Sequence, residues 1–190
     1  MTPDQELITD PEILKTYATD ASLFEVTPHA VAQPRDVEDI KRLVAYANSN
    51  AGVSLTARAA GTDMTGGPLT TSIVVDMMKY FNHIGEISNE HATTQPGVYY
   101  RDFEKETLKY GLLLPSYPAS RELAAIGGIV SNNSGGEKTL TYGKTERYVS
   151  RIKMVCADGE ERVFEATTPD KLTDNYSRKV YDLCSQNYDL

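Results

Sequence analysis

The sequence predicts an α+β fold of two subdomains, a small parallel-strand unit followed by a mixed, mostly antiparallel one. Two observations carry this expectation. First, the amphipathic stretch DVEDIKRLVAYANSN (36–50) is followed by two β-branched runs, VSLTA (53–57) and SIVVDM (72–77), in a β-α-β-loop-β order; strands on either side of a helix pair parallel because the crossover needs an intervening element of that size. Second, after Met78 the pattern changes to short β runs joined by turn residues, IGEIS (84–88) with HATTQ (91–95), and RIKMVC with EERVFEA around Asp158-Gly159, which reads as hairpins. With 190 residues, 40% hydrophobic and 24% charged, the chain can bury a substantial core.

Element by element, residues 3–17 are expected to form a first helix with Leu7, Ile13 and Leu14 as apolar contacts. In the 36–50 stretch Asp36 can cap the amino end, and Val37, Ile40, Leu43, Val44 and Ala47 recur at helical spacing. Gly52 stops this helix, and parallel pairing across it is expected. YRDFEKETLKY (100–110) reads as a helix with Phe103, Thr107, Leu108 and Tyr110 near one side and Gly111 as its stop, followed by the apolar run LLLP. The last stretch, TPDKLTDNYSRKVYDLCSQNYDL, reads as a helical tail. The expected division is 1–78 for the first subdomain and 79–190 for the second.

Composition excludes several classes of function. A formal net charge of −8 argues against nucleic acid as a partner, because such binders neutralise phosphates with a broad positive field. Cys156 and Cys184 show neither CxxC nor Cys/His spacing, so no zinc site or disulfide framework is indicated and a reduced, cytoplasmic setting is the simplest reading. No apolar run approaches the roughly 20 residues that cross a bilayer, and MTPDQELITD is acidic where a signal peptide is basic. Membrane association, if any, is expected to be peripheral, at the inner face. His29, His83 and His91 are scattered in strand or turn contexts and make no metal constellation.

Two glycine-rich segments carry the chemistry. RAAGTDMTGG (58–67) lies between two strand-like runs, where glycine permits positive φ and a close approach of ligand to main chain; the bland alternative is an ordinary surface loop. PSYPASRELAAIGGIVSNNSGGEKTLTYG (115–143) repeats the same character. Gly61 and Gly66 have phosphate-loop spacing, but Gly67-Pro68 stands where Lys-Ser/Thr is required, and no GxGxxG follows a strand, so neither common nucleotide fingerprint applies.

The order of motifs resembles the FAD-binding (PCMH-type) domain of the vanillyl-alcohol oxidase and FAD-linked oxidase superfamily, in the branch with D-lactate dehydrogenase and glycolate oxidase. The residues that carry the resemblance are PRDVEDI (34–40), RAAGTDMTGG (58–67), IVVDM (73–77), QPGV (95–98), GLLLPSYPAS (111–120), IGGIVSNNSGG (126–136), YGKTERYV (142–149) and VCADGE (155–160). Together they cover nearly the whole chain.

The resemblance implies a PCMH-type fold and places the FAD pyrophosphate against the first loop, at Arg58, Ala59, Ala60, Gly61, Thr62, Asp63 and Thr65. Main-chain N–H groups can neutralise phosphate without a basic surface, which reconciles an acidic chain with an anionic cofactor. Arg58 is either a phosphate contact or an exposed strand-end residue. The Asp63 carboxylate is expected to accept amides within the loop, as an Asx-type turn. By the same resemblance Pro118, Ala119 and Ser120 approach the flavin, Gly127 and Gly128 allow close packing on the diphosphate and ribityl chain, and Asn132, Asn133, Ser134, Gly135 and Gly136 supply polar contacts. The alternative for IGGIVS is close packing of a helix on a strand. Members with covalent flavin carry a histidine where this chain has Thr62 and Asp63, so noncovalent FAD is expected.

The family continues into a further FAD-contacting segment and a separate substrate domain, so the chain reads as an amino-terminal fragment, inactive alone, and no catalytic residue is named. The implied activity is oxidation of a small D-2-hydroxy acid of the lactate, glycolate or 2-hydroxyglutarate type with hydride transfer to FAD. The substrate would be met through the downstream domain, with an electron acceptor as a further partner. Alternatives are a non-catalytic binding or scaffold protein of the same fold, or an oxidase of another alcohol such as a sugar lactone, an alkyl-dihydroxyacetone-phosphate or an aromatic alcohol.

Overall fold

The computed structural model describes residues 7–187. Its first unit is a three-stranded parallel sheet of β1 (Ala30–Ala32), β2 (Leu55–Arg58) and β3 (Ile73–Asp76), in the order β1-β3-β2. Ala30–Ala32 stand opposite Ile73–Val75 in register, and Leu55–Arg58 opposite Ile73–Asp76. This corrects the expected pairing across the helix: the strands are parallel, but β3 inserts between β1 and β2, so the two strands joined by the helix are not neighbours. β3 is buried at every position, as the centre of a sheet covered on both faces requires.

Helix α1 (Pro11–Thr16) is shorter than the predicted 3–17, and residues 3–6 lie outside the described residues. The chain at Ile8 is extended, bridged to Val31, and Asp10 caps the helix by accepting from the Glu12 N–H at 2.9 Å, so helix cannot begin earlier. Leu14 is buried with Val31 and Val74 on one face of the sheet; Ile13 is exposed. On the opposite face lies α2 (Val37–Ser49), capped by Asp36, whose Oδ1 accepts from the Asp39 N–H at 2.9 Å. Leu43 is its buried anchor, packed with Ala30, Ala32, Ile73 and Val75.

The second unit follows. Strands β4 (Ile84–Ile87) and β5 (Ala92–Thr94) form the expected hairpin, with a register shift between Ile84 and Ile87. Helix α3 (Tyr100–Thr107) passes into a 3-10 turn over 108–110 that Gly111 ends. Phe103 and Thr107 are buried as expected, but Leu108 and Tyr110 are about half exposed, at 55% and 51%, because the tighter turn rotates them off the buried side. Tyr100 takes that place, fully buried, its hydroxyl donating to the Leu114 carbonyl at 2.8 Å. The core here joins Val98, Tyr100, Phe103, Tyr117, Ala124, Ile126 and Ile129. The short helices α4 (Ile126–Ser131) and α5 (Thr139–Tyr142) come next, then the hairpin β6 (Arg151–Val155) and β7 (Glu161–Glu165), paired antiparallel through all five residues. Helix α6 (Asn175–Gln186), capped by Asp174, closes the described chain.

Candidate functional site

The first glycine loop leaves β2 at Arg58. Gly61 has φ +67°, a conformation costly for any residue with a Cβ. Asp63 shapes the turn that follows: its Oδ2 accepts from the Thr65 hydroxyl at 2.7 Å, the Thr65 N–H at 3.0 Å and the Gly67 N–H at 2.7 Å. The Thr65 hydroxyl foremost, and then the amides, hold the Asp63 carboxyl below the ordinary carboxylate range. The Asx-type turn expected from sequence is therefore present, and it uses up the Thr65 and Gly67 amides. Among the described residues, by contrast, no acceptor meets the main-chain N–H of Ala60, Gly61 or Thr62. Those three consecutive residues are half-buried, and their unpaired amides supply the kind of donors by which main chain binds anions.

Arg58 does not point toward these amides. Its Nη2 donates to the Thr19 carbonyl at 2.7 Å and its Nη1 to the Tyr17 carbonyl at 3.3 Å, with the guanidinium 5.7 Å from the centre of the Tyr17 ring. The same guanidinium lies under Gly61, where an added Cβ would sit 2.5 Å from Nη2. Burial pulls the Arg58 pKa down, and the Asp20 carboxylate is the strongest charge opposing that shift. The segment 17–26 also binds the loop by the Ala21 N–H to the Asp63 carbonyl at 3.0 Å. Phe24 packs over Gly66.

Beneath lies a polar network that sequence reasoning missed. Asp76, at the end of β3 and buried, accepts from the Tyr17 hydroxyl at 2.8 Å, from Gln33 Nε2 at 3.2 Å and from the Met78 N–H at 2.8 Å. Burial, and next the bond to Asp76, raise the Tyr17 pKa. The signal that could have found it is a carboxylate ending an otherwise apolar run, IVVD, since a buried charge requires partners.

The second glycine segment meets the first. A Cβ on Gly128 would lie 3.7 Å from the Ala59 Cβ, so the start of α4 stands beside the start of the loop. Gly127 faces elsewhere: its N–H donates to the Pro96 carbonyl at 2.8 Å, and a Cβ there would meet the Pro96 Cβ at 2.5 Å. Gly127 thus allows close packing on the QPGV turn, while Gly128 stands beside the first loop at ordinary contact distance.

Pro118, Ala119 and Ser120 form a turn in which the Ser120 carbonyl accepts from the Leu123 and Ala124 amides at 2.8 and 2.9 Å. Gly136 folds back on the Tyr117 carbonyl, bringing the end of the Asn132–Gly136 run against Pro118. Within that run the polar groups differ. Asn133, at φ 44°, accepts from the Glu146 N–H at 2.9 Å through Oδ1. The buried Ser134 gives its carbonyl to the Thr145 N–H and hydroxyl at 3.0 and 2.8 Å. Both therefore secure the 145–146 turn, whereas Asn132 and Gly135 are exposed.

A family described as FAD binding domain matches residues 28–165. Glycolate oxidase subunit GlcD of Bacillus subtilis is 35% identical over 148 residues, which is 76% of this chain and 31% of that protein. D-2-hydroxyglutarate dehydrogenase of Pseudomonas putida is 31% identical over 147 residues, 75% of this chain and 15% of that one. The chain thus spans a third or less of the length of these relatives. Among solved structures, 6-hydroxy-D-nicotine oxidase from Arthrobacter nicotinovorans superposes with a TM-score of 0.73 at 23% identity, over 88% of this chain and 36% of that one. An alkyldihydroxyacetonephosphate synthase superposes with a TM-score of 0.72 at 22% identity, over 93% and 34%. Both share the fold.

Proposed function

Because the chain belongs to the FAD binding domain family, we propose that it is the FAD-binding part of a flavin-dependent oxidoreductase and holds the cofactor noncovalently. The observation that carries this reading is the row of free amides at Ala60, Gly61 and Thr62 beside Gly128. A dinucleotide pyrophosphate needs donors and a close main-chain approach, and this cradle offers both.

In this reading Ala60–Thr62 donate to the pyrophosphate, Asp63 and Thr65 fix the shape of the turn, and Ala59 and Gly128 form the wall between the two segments. Pro118–Ser120, Asn132, Gly135 and Gly136 line the flavin side, while Asn133 and Ser134 hold that lining in place. Bound FAD would supply the hydride acceptor of the reaction. Thr62 and Asp63 offer no imidazole for a covalent link to the flavin, which supports noncovalent attachment.

We propose a small D-2-hydroxy acid as the substrate class. It is supported by relatives whose names refer to glycolate and to D-2-hydroxyglutarate, and it depends on parts of those proteins that this chain does not span. The division at 78/79 is likewise a proposal, supported by separate cores: one draws on residues up to Met77 and the other on residues from Ile84 onward. A cytoplasmic setting is supported by two unpaired cysteines, Cys156 and Cys184.

The direct test is to purify the protein that carries this chain, record its flavin spectrum and precipitate it with acid. All yellow colour should leave with the supernatant; colour kept on the pellet excludes noncovalent attachment, and a protein that takes up no FAD excludes the reading altogether. Dye reduction with D-lactate, glycolate and D-2-hydroxyglutarate then tests the substrate class.

A further inference from the structure

Arg58 is the one cation within the first loop, and proximity to a phosphate cradle would ordinarily make it a ligand. Its geometry argues otherwise. Both terminal nitrogens are engaged by main-chain carbonyls, of Thr19 at 2.7 Å and Tyr17 at 3.3 Å. The guanidinium plane lies under Gly61, so close that a Cβ there would collide with it. Its charge has a local counterpart in Asp20, whose Oδ1 accepts from the Ser22 N–H at 2.8 Å and whose Oδ2 is buried with no hydrogen-bond partner among the described residues. An unpaired carboxylate oxygen is tolerated in such a place when a cation stands near enough to compensate it.

Resting on the reading of this loop as the FAD site, we infer that Arg58 is a positioning residue: it clamps the 17–20 segment to the underside of Gly61 and thereby holds the Ala60, Gly61 and Thr62 amides facing outward, without touching the anion itself. The clamp runs on into the fold. Tyr17, whose carbonyl takes one arm of the fork, is fixed through its hydroxyl to Asp76, and Gln33 joins the same carboxylate and accepts from Lys79 at 2.8 Å. The anion loop is therefore anchored at Arg58 to the amino-terminal turn and, through Tyr17, to the end of the central strand. A planar fork reaching two carbonyls at once is something lysine cannot reproduce although it keeps the charge.

The test uses Arg58→Lys and Arg58→Leu in the protein that carries the chain. Flavin fluorescence quenching gives FAD affinity at low and high salt, and hydrogen exchange of the ligand-free protein reports the Ala21 amide, bonded to the Asp63 carbonyl, and the Val26 amide, bonded to the Ala18 carbonyl, against β1–β3. Both variants should bind FAD at least tenfold more weakly, with Lys no better than Leu and with the wild-type salt dependence. Exchange at the bonded amides of Ala21 and Val26 should quicken at least tenfold while the sheet keeps its protection.

Near-wild-type affinity in Arg58→Lys, or a shallower salt dependence in Arg58→Leu, would make Arg58 a direct phosphate contact and overturn the clamp. So would unchanged exchange at Ala21 and Val26. Loss of sheet protection in both variants would also overturn it, by making Arg58 a residue of the fold rather than of the loop. Absence of quenching in the wild type would defeat the FAD reading instead, and the exchange measurements would still decide the clamp.

Discussion

At Gly61 two constraints coincide: φ is +67°, and the space where a Cβ would go is filled by Arg58. Gly61→Val should lower stability by roughly 2 kcal/mol from left-handed strain alone. It should also weaken FAD binding at least tenfold, because relief of the clash turns the 60–62 amides. Thermal melts and fluorescence titration measure the two effects separately, and unchanged affinity would remove the loop from the site. Asp63 makes a prediction in pH. Its folded pKa is lowered by the Thr65 hydroxyl and the loop amides, so its contribution is complete above the unfolded carboxyl value of about 3.9 and is lost as pH falls through the lower folded value. FAD affinity should accordingly be flat from about pH 8 to about pH 5 and fall only below about pH 4. Asp63→Asn, lacking the charge, should bind more weakly at neutral pH; equal affinity there would show that the turn does not shape the site. The Asx turn was legible because Asp63, Thr65 and Gly67 are close in sequence. The bonds that Arg58 makes were not, since its partners Tyr17 and Thr19 lie about forty positions earlier.

Among the elements, α4 offers a paired test. Gly127 abuts Pro96, whereas Gly128 faces the Ala59 methyl at ordinary contact distance. Gly127→Ala should destabilise by about 1–3 kcal/mol through overpacking. Gly128→Ala should leave stability unchanged or raise it by up to about 1 kcal/mol, the ordinary helical gain over glycine. Yet Gly128→Ala should be the variant that weakens FAD binding more, relative to its effect on stability. Equal flavin affinity in Gly128→Ala and wild type would move the cofactor away from α4. At the other end of the chain's regular structure, Asp36→Ala removes the α2 cap and should cost about 1 kcal/mol, read as a melting shift of about 2–4 °C. Helix α2 was plain in the sequence because its cap, its periodicity and its stop agree. The hairpins were plain through Asn89-Glu90 and Asp158-Gly159. A strand before α2 was implied by the β-α-β order but could not be placed, because Ala30–Ala32 is too short to show a period and contains two alanines. The exchange of neighbours in the sheet was hidden for another reason: helix length permits a parallel crossover without specifying whether the next strand over is adjacent.

For the whole molecule, the net charge of −8 sets an expectation about salt. An anion held by uncharged amides in an acidic chain gains little from long-range attraction, so FAD affinity should change by less than about threefold between low and high ionic strength. A steep loss with added salt would point instead to direct ion pairing and to a ligand cation outside the cradle. The Tyr17–Asp76–Gln33 network belongs to this scale too, since it joins three separate stretches of chain and no local pattern announces it. The strand order has a consequence for how the molecule comes into being. β1 and β2 both have β3 as their parallel neighbour, and the glycine loop lies on the path between β2 and β3. A nascent chain must therefore emerge as far as Asp76 before either earlier strand finds that neighbour, and contacts so distant in sequence form late. The sheet and the first glycine loop therefore belong to one folding step: a chain stalled on the ribosome before β3 has neither, and residues 118–136 must still emerge before both walls of the proposed cofactor site stand together.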